Sequence, residues 1–308
     1  MSILDMQRAF GRMLTDKAFQ RMFLDGDPAA TEPYRLTEAE LASLRGLDRG
    51  RLALQAELLA NSRLELALGA LPLTSLLLHH QLHDHVDRFC AEFPPVPESL
   101  GAMIVEAERL CEFAVRLLRE GTLEPVWAED VVAYERVLLD LSTSGEAWAG
   151  AATIALLNDG IAAPSAEDLP GLVPVTAANT RIVPFFHDLA ELVPRLEDGE
   201  IPAGVTRLER PQLLLFVKRP GAVFVRRMRV NAATAALLEA SDGRRTVAEV
   251  CAAVAGASGP GALSPPARQA ALDMLLLLRD HGAIGLRPRM DDASTEYDGA
   301  AASDGRNG

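Results

Sequence analysis

Between Arg49 and Leu141 the chain runs through four segments that share one periodicity: ALQAELLANSRLELALGAL, SLLLHHQLHDHVDRFCAEF, SLGAMIVEAERLCEFAVRLLREG and WAEDVVAYERVLLDLS. Each places apolar residues at i, i+3, i+4 and i+7 and charges on the opposite face, a pattern that can bury its apolar stripe only as a helix. Breaks fall at Pro72, at Pro94-Pro95-Val96-Pro97 and between Gly121 and Pro125. A helical bundle is the expected centre of the molecule. Composition agrees, since aromatics are only 5% of the residues and the abundant Leu and Ala favour helix.

Ahead of the bundle, MQRAFGRMLTDKAFQRMFLDGDP spaces Phe10, Met13, Leu14 and then Phe19, Met22, Phe23 for two short helices, with Thr15 or Asp16 as the cap between them. Thr37-Glu38-Ala39-Glu40 is a capping box that opens another helix. Residues 1–62 are therefore read as a small helical module, and 63–175 as the bundle plus a connection. That connection, 142–175, is rich in Gly, Ala, Ser and Pro and has room for one short helix. After Arg289 the chain is acidic and small-residue-rich, and 290–308 is expected to be a disordered tail.

The segment 176–289 changes character. Thr180 to Val183 alternates weakly as a strand, HDLAELVPRLEDGEIP follows as a helix, Leu213 to Val217 reads as a strand, and Arg219-Pro220-Gly221-Ala222 turns into AVFVRRMRV as a hairpin partner. Asn231 then caps one helix, Thr246-Val247-Ala248-Glu249 boxes a second, and Ala267 to His281 forms a long third helix closed by Gly282 and a strand, Ala283 to Leu286.

Charge singles out the same region. The net charge is −13, yet residues 207–245 hold nine basic and three acidic side chains, against 16 basic and 32 acidic before them. A basic island on an acidic body suits an anionic partner of limited size, whereas long duplex nucleic acid would be repelled by the remainder.

The run V-N-A-A-T-A-A-L-L, D-G-R-R-T-V-A-E-V and L-L-L-L-R-D-H-G-A-I resembles the PqqD-like winged helix, the RiPP recognition element that binds leader peptides of ribosomally made, post-translationally modified peptides. With D-V-V-A-Y-E-R-V-L-L-D-L and T-R-I-V-P-F-F-H-D-L upstream, the chain is similar to partner subunits of multinuclear non-haem iron-dependent oxidases. Residues 7–48 resemble a small helical module shared by the α subunit of LigAB dioxygenases, here taken as an accessory domain. The fold class expected is mainly α, with a helical module and bundle in front of a C-terminal α+β winged-helix domain.

The resemblance implies strand addition. A leader peptide would pair with the edge formed by Val223, Phe224, Val225, Arg226, Arg227, Met228, Arg229 and Val230, in a groove walled by Arg268, Leu272 and Leu275 of the long helix. Precursor peptide and oxidase are the implied partners. Iron is expected in the oxidase and no cofactor in this chain, which is expected to be non-catalytic.

Other candidates are weaker. His79 and His83 stand i,i+4, so a metal site is geometrically possible; with no third ligand recognisable, the segment His79 to His85 is read as a solvated polar face. Glu129, Asp130 and Glu135 share one amphipathic helix with Tyr134 and are read as surface ion-pair formers. Cys90, Cys111 and Cys251 lack metal or disulfide spacing and read as core thiols. No GxSxG, GxGxxG, GxxxxGK or kinase motif occurs. A winged-helix DNA-binding regulator is the competing reading, disfavoured because the long helix carries only Arg268 and Arg279 against Asp273 and Asp280. No apolar leader or span is apparent, so the protein is expected in the cytoplasm without membrane attachment.

Overall fold

The computed structural model describes residues 3–95, 101–161, 164–165, 167–257 and 264–289. The expected tail 290–308 lies outside the described residues. Among the described residues helices come first: α1 (Ile3–Thr15), α2 (Lys17–Leu24), α3 (Pro28–Thr31), α4 (Glu38–Arg45), α5 (Arg49–Gly69), α6 (Pro72–His83), α7 (Val86–Glu92), α8 (Ala102–Arg119) and α9 (Ala128–Thr143). They are followed by α10 (Gly145–Asp159), β1 (Val173–Thr176), β2 (Thr180–Phe185), α11 (Leu189–Glu197), β3 (Gln212–Val217), β4 (Arg226–Val230), α12 (Ala232–Ala240), α13 (Val247–Ala257), α14 (Pro265–Asp280) and β5 (Ile284–Arg287). The protein is mostly helical with small sheets. Among the described residues no helix is long and apolar enough to cross a membrane.

The chain forms two compact units, neither continuous in sequence. The first comprises Met1–Ser144, Arg181–Phe216 and Arg227–Arg229; the second comprises Gly145–Thr180, Val217–Arg226 and the chain from Val230 onward. The segment read from sequence as one domain, 176–289, thus contributes to both.

Within the first unit the local signals act as expected. Asp16 caps α2 through the Phe19 amide, and Thr37 and Glu40 complete their capping box. Among the described residues one core gathers Ala9, Met13, Phe19, Phe23, Ala30, Leu44 and Leu52, and another gathers Leu64, Leu68, Leu78, Leu82, Phe89 and Phe113 with the apolar faces of α8 and α9. The sequence boundary at residue 62 falls inside α5, because that helix supplies Leu52 to the first core and Ala60, Leu64 and Leu68 to the second. Arg63 is buried on α5 and forks onto Glu106 of α8 at 3.2 and 2.8 Å while donating to the Phe93 carbonyl at 2.7 Å. A charge this deep persists only because its partner and additional hydrogen bonds are in place. The expected helix from Ser75 to Phe93 is divided at His83 to Val86 into α6 and α7. A three-stranded sheet in the order β2-β3-β4 completes this unit.

In the second unit β1 pairs antiparallel with β5, Val173 opposite Arg287 and Thr176 opposite Ile284. The closing strand expected after the long helix is therefore present, and its partner comes from the stretch 142–175 that sequence reading treated as a connection. The same stretch contains α10, 15 residues long, where at most a short helix was expected. Its buried face, Ala147, Ala151 and Ile154, has helical spacing but consists mostly of residues too small to stand out as an amphipathic stripe. Gly150 is required there: a Cβ would lie 2.9 Å from the Ala178 and Asn179 amide nitrogens. Asn179, fully buried, donates to the carbonyls of Lys218 and Gly282 at 3.0 and 2.9 Å and accepts from the Lys218 amide at 2.9 Å. Asn231 caps α12 and Thr246 with Glu249 boxes the start of α13, as expected.

Candidate functional site

Strand β4 lies at one edge of its sheet, and beside it runs a groove of about 260 Å³ lined by Arg227, Met228 and Arg229 of β4, Gln212 and Leu214 of β3, one face of α11 and Tyr134 of α9. The opposite wall is set by sequence. Leu189, Leu192, Val193 and Leu196 are buried and hold α11 in place, so Ala190, Pro194 and Glu197 fall together on the face toward the groove. Pro194 has no amide hydrogen and so makes no i to i−4 bond to the Ala190 carbonyl.

The entry to α11 is pinned by a buried carboxylate. Asp130 Oδ2 of α9 accepts from the Phe186 amide at 2.7 Å, the His187 amide at 2.8 Å and His187 Nδ1 at 2.8 Å. Gln212 donates to the His187 carbonyl, and Asp188 caps α11 through the Ala190 amide at 3.1 Å. Beneath the sheet Tyr134, Phe185 and Phe216 pack with ring centroids 5.8 to 6.5 Å apart. Tyr134 is buried and its hydroxyl has no hydrogen-bond partner among the described residues.

The cations lie on the strand. Arg226, Arg227 and Arg229 are exposed and form no ion pair among the described residues; Arg227 packs its guanidinium over the Tyr134 ring at 5.5 Å. On the strand's free side no neighbour pairs with it among the described residues, which leaves a row of backbone donors and acceptors available.

The site residues expected from sequence divide into two groups. Arg227, Met228 and Arg229 line the groove, with Arg226 and Val230 at the ends of the same strand. Val223 and Phe224, 79% and 85% exposed, lie outside the strand, and Val225 is buried. The strand starts later than its alternation suggests because buried Lys218 donates to the Ala222 carbonyl at 2.7 Å and packs on Trp148 at 4.2 Å, curling the turn around its ammonium. Arg268 is exposed on α14, but Leu272 is 8% and Leu275 0% exposed; the leucine face of α14 is core of the second unit. The wall supplied by α11 went unseen because leucine spacing alone does not distinguish a core face from a groove.

Of the three α9 carboxylates singled out from sequence, Glu129, Asp130 and Glu135, only Glu129 is the surface ion-pair former expected, reaching Arg119 at 2.8 Å. Asp130 and Glu135 are buried, a correction to the surface reading. Asp130 takes two backbone amides and the His187 ring as described above; Glu135 accepts from the Leu73 and Thr74 amides at 2.8 and 2.7 Å, and burial raises its carboxyl above the usual range against the pull of those hydrogen bonds. Cys90, Cys111 and Cys251 are buried and free, as expected, with burial pushing the Cys111 thiol up to about 12. Residues able to hold a metal ion converge elsewhere in the first unit, where Glu65 of α5 meets His79 and His83 of α6.

Compared with protein-family models and with curated proteins, the chain has no match.

Proposed function

We propose that this chain is a non-catalytic capture subunit, which binds the leader of a ribosomally made precursor peptide along β4 and presents its core to a separate multinuclear iron-dependent oxidase. The observation that carries this reading is the free edge of β4 beside a groove. An extended peptide entering there gains backbone hydrogen bonds from the strand. Arg226, Arg227 and Arg229 favour acidic leader side chains and speed their encounter. The groove placement differs from the family expectation in its helix: α11 takes the part assigned to α14.

The competing reading, a DNA-binding regulator, needs free cations on α14. Arg279 is 12% exposed and donates to the carbonyls of Asn158 and Ile161 at 3.3 and 2.5 Å, which leaves Arg268 as the exposed cation of that helix and disfavours groove insertion.

The test is fluorescence anisotropy with labelled precursor leaders encoded beside this chain and with duplex DNA. Leader binding that weakens when Arg227 and Arg229 are replaced by Ala supports the proposal. Absence of leader binding together with tight, salt-sensitive duplex binding overturns it. Proline scanning adds a geometric check. Successive strand residues point their amides to opposite sides, so of Arg227→Pro and Met228→Pro one removes a free-edge donor and blocks pairing, while the other strikes the β3 ladder and the fold. If a folded free-edge variant binds leader unchanged, strand addition at β4 is excluded.

A further inference from the structure

We propose that Glu65, His79 and His83 form a binding site for a divalent transition-metal ion of the Zn²⁺ class, with a fourth position open to solvent. The sequence shows only the i,i+4 histidine pair; the third donor is supplied by the neighbouring helix. His83 Nε2 lies 3.1 Å from Glu65 Oε1 and 3.3 Å from His79 Nε2, and His79 Nε2 lies 3.6 Å from the same carboxylate oxygen.

These separations match a coordination polyhedron. Ligand atoms about 2.0–2.1 Å from a tetrahedral zinc are about 3.3–3.4 Å from one another, which is close to the mean of the three edges observed. A triangle with these edges has a circumradius of about 1.9 Å, so an ion at about 2.05 Å from each atom lies roughly 0.7 Å out of their plane, as at a tetrahedral centre. Hydrogen bonding alone accounts for the cluster less well. The His79 contact with Glu65, at 3.6 Å, is too long for a hydrogen bond, yet three basic atoms converge.

The scaffold is rigid. Glu65 follows Leu64, 1% exposed, and the two histidines follow Leu78 and Leu82, 0% and 1% exposed, so both helices are anchored by core residues adjacent to each ligand. His83 is the last residue of α6, where the helix dipole favours a cation. The ligands are 30%, 34% and 53% exposed. Three protein ligands facing solvent leave a position for water or for a donor from another molecule, the arrangement of exchangeable rather than purely structural zinc sites. The ion would also clamp α5 to α6.

The experiment uses the full chain with any affinity tag removed, stripped with chelator and titrated with Zn²⁺ by calorimetry, with Co²⁺ absorption reporting geometry. A single saturable site is expected, with tetrahedral Co²⁺ bands. His83→Ala and His79→Ala should each weaken it roughly 100-fold or more, and Glu65→Gln by at least about 10-fold, whereas His80→Ala, which alters an exposed neighbour outside the triangle, leaves affinity unchanged. Circular dichroism of each variant separates loss of ligand from loss of fold. No Zn²⁺ binding by the folded protein overturns the proposal, as does binding that survives His83→Ala or falls equally with His80→Ala.

Discussion

Glu135 provides the sharpest test of how the helical body is held together. The α6 helix begins with Pro72 at N1, and Leu71 at its N-cap makes no side-chain capping bond. Pro72 has no amide hydrogen, so the orphan donors of the first turn are the Leu73 and Thr74 amides, and both are taken by the Glu135 carboxylate from α9. Removing that carboxylate with Glu135→Ala leaves two buried donors unpaired. At about 1–3 kcal/mol each the cost is roughly 2–6 kcal/mol, a large share of the about 5–15 kcal/mol that holds a typical domain. Glu135→Gln retains one acceptor oxygen but presents an NH₂ to the second amide, so one donor is lost, at about 1–3 kcal/mol. The order Ala worse than Gln is the expected result.

The pH dependence has a definite sign. Burial raises the Glu135 carboxyl above its ordinary 4.5, so between 4.5 and the raised folded value the native state binds more protons than the unfolded chain. Stability from this group is therefore greatest at low pH, declines as pH rises through that window and is flat above it. Subtracting the denaturant stability of Glu135→Gln from that of the wild type at each pH isolates this slope from the other carboxylates. Native-state hydrogen exchange supplies the local readout, because the Leu73 and Thr74 amides should lose protection in Glu135→Ala before the amides of α8 do. A stability loss below about 1 kcal/mol in Glu135→Ala, with those two amides still protected, would refute the capping argument.

Tyr134→Phe removes a buried hydroxyl that has no hydrogen-bond partner among the described residues, so stability by thermal unfolding should hold or rise slightly; a loss above about 1 kcal/mol would show that the hydroxyl is paired. Gly150→Ala drives a methyl to 2.9 Å from two backbone nitrogens and should cost about 1–3 kcal/mol by urea unfolding, and a neutral result would mean that the Ala178 and Asn179 backbone yields freely.

What could be read in the sequence and what could not divides along the range of the interaction involved. The helix starts at Asp16, Thr37, Asn231 and Thr246 were legible because each cap and its amide lie within three residues. The metal-capable triangle was half legible: His79 and His83 share a helix face, but Glu65 arrives from another helix at a separation that no spacing motif encodes. The groove was legible as a strand and illegible as a cleft, since its second wall depends on which face of α11 the core leaves uncovered.

The buried carboxylates of α9 are the instructive case, because a signal was present. Ala128, Val131, Val132 and Glu135 stand at i, i+3, i+4 and i+7, and Trp127, Asp130, Tyr134 and Leu141 continue a second inward row. Both acids thus occupy stripe positions that helical periodicity assigns to the core, whereas Glu129 falls between the rows and meets Arg119 at the surface. A carboxylate on a core stripe must find donors inside. When the sequence offers no cation to match it, the remaining supply is backbone amides left unpaired at another element's start. Pro72 marks such a start for Glu135, and the turn at Phe186 and His187 before Asp188 marks one for Asp130. Reading acids by stripe position rather than by residue type would have placed both inside and joined α9 to α6 and to the groove wall.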